Sequence, residues 1–223
     1  MKTEYGGTGN KTGIVRIYEP AKISIQVLKI VKEFRFPLED FSSIKDRNKE
    51  IELDHQYHDR SVYVLFLSPI NETIIACAKI IYKRNALEKL PIEFGETVSI
   101  TDSSLLIPVK REIGKFFSIK DDPEFLPVCE IGGLRAAPIN PDRGITLRMR
   151  YKALDTVMKT CHIEIHKRGF KHFFLTCIGT PQMERLYHNR YYFNEVAKIS
   201  YGDDHIWKAL WRLPFVHERN DKL

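Results

Sequence analysis

Apolar positions recur along the chain at two spacings, and the spacings mark out its elements. Gly13–Tyr18 sets Val15 and Ile17 against Arg16 and Tyr18, the period-two pattern of a short strand. Ile23, Val27, Ile30, Val31 and Phe34 then follow at helical spacing, which predicts an amphipathic helix over Ala21–Phe34. Pro20 suits its first position and Pro37 ends it. Glu39–Asn48 is polar around Phe41 and Ile44, a second short helix or an ordered loop. Ser61–Leu67 and Thr73–Tyr82 are apolar, β-rich runs on either side of the turn Pro69-Ile70-Asn71-Glu72, so they pair as an antiparallel hairpin. Ala86–Phe94 has no clear period, Ser104–Phe117 reads as a helix, and Asp121-Asp122-Pro123 breaks the pattern.

The strongest signals lie in Val128–Phe193. Val128–Ala137 is a strand, and Asn140–Thr146 is a basic turn. Leu147, Tyr151, Leu154, Met158, Cys161 and Ile165 then fall on one helical stripe, so Leu147–Arg168 is a long amphipathic helix ended by Gly169. Lys171–Cys177 is another strand, and Thr180–Tyr187 opens an aromatic-rich helix. Phe193–Ser200 and His205–Leu213 are two further strands joined by Gly202-Asp203-Asp204. This order suits an α/β fold with one mixed central sheet and helices on both faces. Residues 13–216 are expected to form one domain, with a disordered tail at 1–12 and a frayed one at 217–223.

Composition narrows the class. With 43% hydrophobic residues, the 223-residue chain can bury a full core. No run is apolar for the length a membrane helix needs, and the first residues lack the apolar centre of a signal peptide, so a cytoplasmic location is expected. The four cysteines, Cys77, Cys129, Cys161 and Cys177, sit in apolar or periodic segments with no CxxC pair. They read as buried free thiols. His55 and His58 flank Asp54, and His162 and His166 lie one helical turn apart. Neither pair has the third ligand of a zinc site, so no metal is expected.

The net charge of +6 points to an acidic partner or ligand. The cations cluster in Arg143–Lys152 and Lys79–Arg84. No helix-turn-helix, RNP or zinc-finger pattern accompanies them, which argues against nucleic acid. Arg143, Gly144, Arg148 and Arg150 surround a helix N-terminus, where free N–H groups and the helix dipole favour an anion such as a phosphate. A solvated basic turn would account for the same residues. Glu130 lies on the strand beside Gly132-Gly133, where a bulge would splay the sheet and free backbone N–H groups. A carboxylate there is a candidate base, directly or through water. Its alternative is a salt-bridged strand glutamate.

The chain resembles the GNAT acyltransferase superfamily from about Gly13 to Leu213, and more closely the autoinducer (acyl-homoserine lactone) synthases and N-acyl amino acid synthases. The hairpin Val62–Leu65 with Asn71–Ile80 resembles the family's strand pair and its "VGxxRL"-like run. Leu90-Pro91-Ile92-Glu93 resembles the segment after it. Glu130–Leu134 resembles the "E-x-S-R-[FL]" strand, and Glu184–Phe193 resembles the "LYxKxGF" helix. Three departures stand out. The strand arginine falls at Gly133, the hairpin arginine is Lys79, and the loop "Q/R-x-x-G-x-G/A" survives only as Arg143-Gly144.

The resemblance implies a GNAT-like mixed sheet and acyl transfer from a thioester to an amine by direct attack. It places Tyr187 near the leaving sulfur as an acid, with core packing as its alternative. It places Arg35, Asp54 and Lys79 around the amine substrate: Asp54 for an ammonium, Arg35 or Lys79 for a carboxylate. No permanently bound cofactor is expected. The co-substrate is an acyl-phosphopantetheine thioester. A loop with one glycine brings fewer N–H groups to a diphosphate, which favours an acidic acyl carrier protein over coenzyme A. The acceptor is then a small amine, an amino acid rather than S-adenosylmethionine. Competing readings are an acyl-homoserine lactone synthase using S-adenosylmethionine, an acyl-CoA acetyltransferase, and an inactive GNAT fold used for binding.

Overall fold

A computed structural model describes residues 2–3, 13–83, 88, 90, 128–170, 172–178, 181, 185–201 and 205–212. The expectations for Ala86–Phe94 (apart from residues 88 and 90), Ser104–Phe117, Asp121-Asp122-Pro123, Gly202-Asp203-Asp204 and the tail from 217 lie outside the described residues. The chain forms two compact units, one of residues 1–81 and 131–165, the other of 82–130 and 166–223.

The strands of the first unit are β1 (Lys2–Thr3), β2 (Ile14–Tyr18), β3 (Ser61–Leu67), β4 (Ile74–Lys83) as far as Ile81 and, from Ile131 onward, β5 (Val128–Ala136), hydrogen-bonded in that order. Lys2–Thr3 pairs antiparallel with Val15–Arg16, where the sequence predicts a disordered tail. β3 and β4 form the predicted antiparallel hairpin, with Leu65 opposite Cys77 and Tyr63 opposite Lys79. Every residue of both strands is buried. Strands covered on both faces lose the alternation of a half-exposed sheet, so they read as unbroken apolar runs.

The predicted helix after Pro20 is divided. Pro20–Lys22 is a single 3-10 turn, and α1 (Ile25–Arg35) starts afresh from Ser24, whose hydroxyl accepts from the Val27 N–H. A serine N-cap satisfies one of the orphan donors of a new helix, which competes with continuing the old one. Pro37 ends α1 as expected. The polar stretch after it becomes a 3-10 turn, Leu38–Asp40, and α2 (Ile44–His55) capped by Ser43. α1 lays Val31, with Val27, Leu28 and Phe34, against Tyr63, Leu65, Leu67, Ile74 and Cys77 of the hairpin. Arg47 of α2 donates to the Phe36 carbonyl at 2.5 Å and pairs with Glu33, which ties the two helices together. Arg135 of β5 pairs with Asp40.

The long helix α3 (Leu147–Lys167) follows the basic turn, and Gly169 ends it at φ 78°. Ala153, Val157, Met158, Cys161 and Ile165 are buried, but Leu147 and Tyr151, the first two members of the predicted stripe, are exposed. The stripe therefore continues past the part of the helix that is covered.

In the second unit β6 (His172–Ile178), β8 (His205–Arg212) and β7 (Asn194–Tyr201) form an antiparallel sheet in the order β6-β8-β7. Leu186–Arg190 is a π-helical turn. Phe173 meets Phe193 edge-on at 5.5 Å, and Tyr82 packs on Phe170 at 4.7 Å. Cys77, Cys129 and Cys161 are buried free thiols, as their apolar settings predict. No helix among the described residues is long and apolar enough to cross a membrane.

Candidate functional site

Three of the predicted residues, far apart in sequence, meet. Arg35 comes from the last turn of α1, Asp54 from the last turn of α2, and Lys79 from β4. Arg35 Nη1 donates to Asp54 Oδ2 at 2.8 Å. Lys79 Nζ lies 3.1 Å from Asp54 Oδ1 and donates to the Asp54 carbonyl at 2.5 Å. The hairpin register sets this up. Lys79 stands opposite Tyr63, on the face that α1 covers, so a fully buried ammonium must find a carboxylate there. The aromatic faces of Tyr63 and Tyr57, 5.6 and 5.9 Å from Nζ, flank it.

Burial shapes the charges of this cluster. It penalises the Lys79 ammonium, and Arg35 repels it, so its pKa falls to about 8 despite the Asp54 carboxylate. Burial also penalises Asp54, but Arg35 and Lys79 outweigh that and hold its carboxyl below the usual carboxylate range. Asp54 thus already carries an ammonium and a guanidinium from the chain itself. With two cations and one anion, the cluster has a net positive charge, which suits an anion more than an amine. Arg35 Nε is buried and makes no hydrogen bond among the described residues.

Gly133 explains how Arg35 reaches this position. It holds φ at 61°, in the left-handed region that interrupts an extended strand at no steric cost only for glycine. A Cβ on Gly133 would sit 2.5 Å from Arg35 Nη2 and 2.7 Å from Nε. The guanidinium therefore fills the space in which a side chain at 133 would begin. The Cys77 thiol, whose pKa burial pushes up to about 12, lies 4.0 Å from the Gly133 carbonyl.

The register opposite Lys79 also brings in Tyr63, which the sequence reading passed over, and His58, which it weighed only as a metal ligand. Tyr63 is buried, and its hydroxyl lies 3.1 Å from His58 Nδ1. The His58 ring meets His55 at 5.3 Å. Burial, followed by His55 and Lys79, lowers the His58 pKa. Counting back from the Pro69–Glu72 turn pairs Tyr63 with Ala78; the bulge between Phe66 and Leu67 shifts the register by one residue and sets Tyr63 across from Lys79. Among the described residues no group of three or more His, Cys, Asp or Glu is placed to hold a metal ion.

The basic turn is built as a closed loop. Asn140 and Ile145 bridge, Pro141–Arg143 makes a 3-10 turn, and Gly144 caps it at φ 72°. Nothing lies within 4 Å of a Cβ at Gly144, so the glycine serves its backbone angle and not a close approach. The Thr146 hydroxyl accepts from the Met149 N–H, taking one of the helix's free donors. Arg143 and Arg148 are exposed, and Arg150 is half-buried.

Glu130 and Tyr187 belong to the second unit. Glu130 is fully buried on β5, and it does have interaction partners. Tyr187 is 2% exposed in the π-helical turn and meets the Phe193 ring edge-on at 5.9 Å and the Tyr191 ring at 6.2 Å. Tyr191 and Phe193 pack on it, as the core-packing alternative expects, while Tyr192 is exposed.

By sequence, the chain matches no family profile and no curated protein. By structure it is similar to an acyl-CoA N-acyltransferase from Pseudomonas aeruginosa at 13% identity, covering 90% of this chain and 99% of that one, with a TM-score of 0.51. TofI in its apo form matches at 16% identity over 88% and 89% of the two chains, with a TM-score of 0.54. FeeM, an N-acyl amino acid synthase from uncultured soil microbes, matches at 7% identity over 90% of each chain, with a TM-score of 0.53. The chain has the α/β fold of the GNAT acyltransferases. The likeness to the N-acyl amino acid synthase spans nearly all of it.

Proposed function

We propose that the protein is an N-acyltransferase that moves an acyl group from a phosphopantetheine thioester to the amine of a small metabolite. The observation that carries this reading is a GNAT fold whose first unit gathers Arg35, Asp54 and Lys79 into one buried, net positive cluster. Such a cluster suits the carboxylate of an amino acid acceptor better than a peptide N-terminus or an uncharged amine.

The amine nitrogen attacks the thioester carbonyl, the C–N bond forms, and the C–S bond breaks. Glu130 takes the amine proton, directly or through water, and the Tyr187 hydroxyl gives a proton to the departing thiolate. Arg35 and Lys79 hold the acceptor's carboxylate, while Asp54 keeps both cations in place. Arg143, Gly144, Arg148 and Arg150 face the phosphate of the donor arm. The single glycine of this turn, and the Met149 N–H already taken by Thr146, leave few backbone donors for a diphosphate. That supports an acyl carrier protein over coenzyme A as donor.

A second reading, an acyl-homoserine lactone synthase using S-adenosylmethionine, has one observation in its favour. The strand cation missing at Gly133 is supplied by Arg35, whose guanidinium occupies that space. One experiment separates the readings. Acyl carrier protein and acyl-CoA donors are offered with an amino acid mixture or with S-adenosylmethionine, and thiol release and product mass are followed. An N-acyl amino acid made from the carrier-bound donor supports the first reading. Lactone formation from S-adenosylmethionine supports the second, and no thiol release from any donor leaves only a binding protein.

A further inference from the structure

The first two turns of α3 carry an apolar pair that the fold leaves uncovered. Leu147 is 52% exposed and Tyr151 48% exposed, while Met158, further along the same stripe, is wholly buried. Residues four apart lie side by side on a helix, so Leu147 and Tyr151 form one continuous apolar spot. At 100° per residue, Arg148 and Lys152 flank it on one side and Arg150 on the other. Arg143 stands in the turn just before. The segment Arg143–Lys152 holds these four cations and no acid. None of the four has an ion-pair partner among the described residues. The next acid along the helix, Asp155, is half-buried and already engaged.

We propose that this face docks an acidic helical carrier protein, with Leu147 and Tyr151 as anchors and Arg148, Arg150 and Lys152 as the charged rim. The inference rests on the carrier-protein reading of the donor and names the surface that reads it. Protein interfaces concentrate their energy in a few central apolar or aromatic residues, and rim cations set the rate and the choice of partner. Both parts are present here in the right arrangement. A membrane surface would need an apolar face continued along the helix. On α3 that stripe is already half-buried at Leu154 and wholly buried at Met158 and Cys161, which leaves Leu147 and Tyr151 as its exposed anchors. Nucleic acid would make use of the cations but not of a leucine beside them.

The test uses the full chain and dodecanoyl acyl carrier protein, with binding followed by fluorescence polarisation at low salt. Tyr151→Ala and Lys152→Glu are each expected to weaken binding roughly tenfold, as loss of an anchor or reversal of a rim charge does. Lys29→Glu, an exposed lysine on α1, is expected to bind like the wild type. All three positions are exposed, and unchanged melting curves confirm intact folding. Carrier binding unaltered in both α3 variants overturns the proposal. So does a wild type that binds no carrier, or one that binds phosphatidylglycerol vesicles in its place and loses them with these substitutions. Turnover of dodecanoyl-pantetheine, a donor without the carrier surface, keeps the two ideas apart. If the wild type uses no donor at all, the enzyme reading fails, while the binding data still judge the docking face.

Discussion

The guanidinium of Arg35 occupies the space where a side chain on Gly133 would start, with Nη2 2.5 Å from the position of a Cβ. One residue ends α1 and the other interrupts β5, so a helix and a strand are fitted together by an absent methyl group. Gly133→Ala is expected to lose stability twice. The left-handed φ of 61° costs an L-residue about 1–2 kcal/mol. The added carbon also displaces the guanidinium and strains its bond to Asp54. Urea unfolding should show a total loss of roughly 2–4 kcal/mol. Stability equal to the wild type would mean that Arg35 has another place to go.

Asp54 is the only anion placed between the two buried cations among the described ion pairs. Asp54→Ala leaves both cations uncompensated and is expected to cost about 3–5 kcal/mol. Lys79→Met removes one cation and leaves the Arg35–Asp54 pair intact, so it is expected to cost far less. Chemical denaturation of the two variants gives the order directly. A Lys79→Met variant less stable than Asp54→Ala would contradict this account of the cluster.

Much of this cluster could be read from the sequence, though its logic could not. The hairpin Ser61–Lys83 is local and legible, but its turn alone would set Ala78 opposite Tyr63, and the bulge between Phe66 and Leu67 is what puts Lys79 there. Arg35 and Asp54 needed the helices around them, and α2 has a weak apolar pattern, so only its first half was readable, as a helix or a loop. The split at Ser24 was hidden because the apolar spacing runs unbroken across it while a local cap decides the outcome. Leu147 and Tyr151 belong to a periodic stripe, and period alone cannot tell where along a helix the covering layer stops. The seating of Arg35 on Gly133 is a contact between distant segments, and no local pattern records it.

The depressed ammonium of Lys79 predicts a pH dependence of known sign. Its ordinary pKa is 10.5, and in the folded protein it is about 8. Between these two values the unfolded chain holds a proton that the native protein has released. Stability from this group therefore rises as pH goes from about 8 to 10.5. Compared with Lys79→Met, the wild type is expected to gain on the order of 1–3 kcal/mol over that window. Asp54 works in the acid range. Its carboxyl is held below its ordinary value, so its contribution is present above that value and is lost as pH falls through the lower, folded one. Denaturation curves of wild type and Lys79→Met at paired pH values check the alkaline half. A wild type that loses stability relative to the variant above pH ~8 would reverse the sign.

The proposed catalytic roles separate in kinetics. Tyr187 packs against Tyr191 and Phe193, so Tyr187→Phe keeps the ring and removes only the hydroxyl. If that hydroxyl protonates the thiolate, kcat falls roughly 10²-fold and the KM for either substrate hardly moves. The fall should also shrink for donors whose thiol is more acidic, because a better leaving group needs less help. A structural role predicts the opposite, a lower melting temperature and no dependence on the leaving group. Arg143→Ala with Arg148→Ala should act on the other parameter. Both side chains are exposed at the start of α3, so the fold is expected to tolerate their loss. Donor KM should rise roughly tenfold or more while kcat changes little, since a charge-assisted contact to phosphate binds ground state and transition state alike. Unaltered donor KM in this double variant would remove the phosphate from the turn. Full activity in Tyr187→Phe would return that tyrosine to the aromatic core that surrounds it.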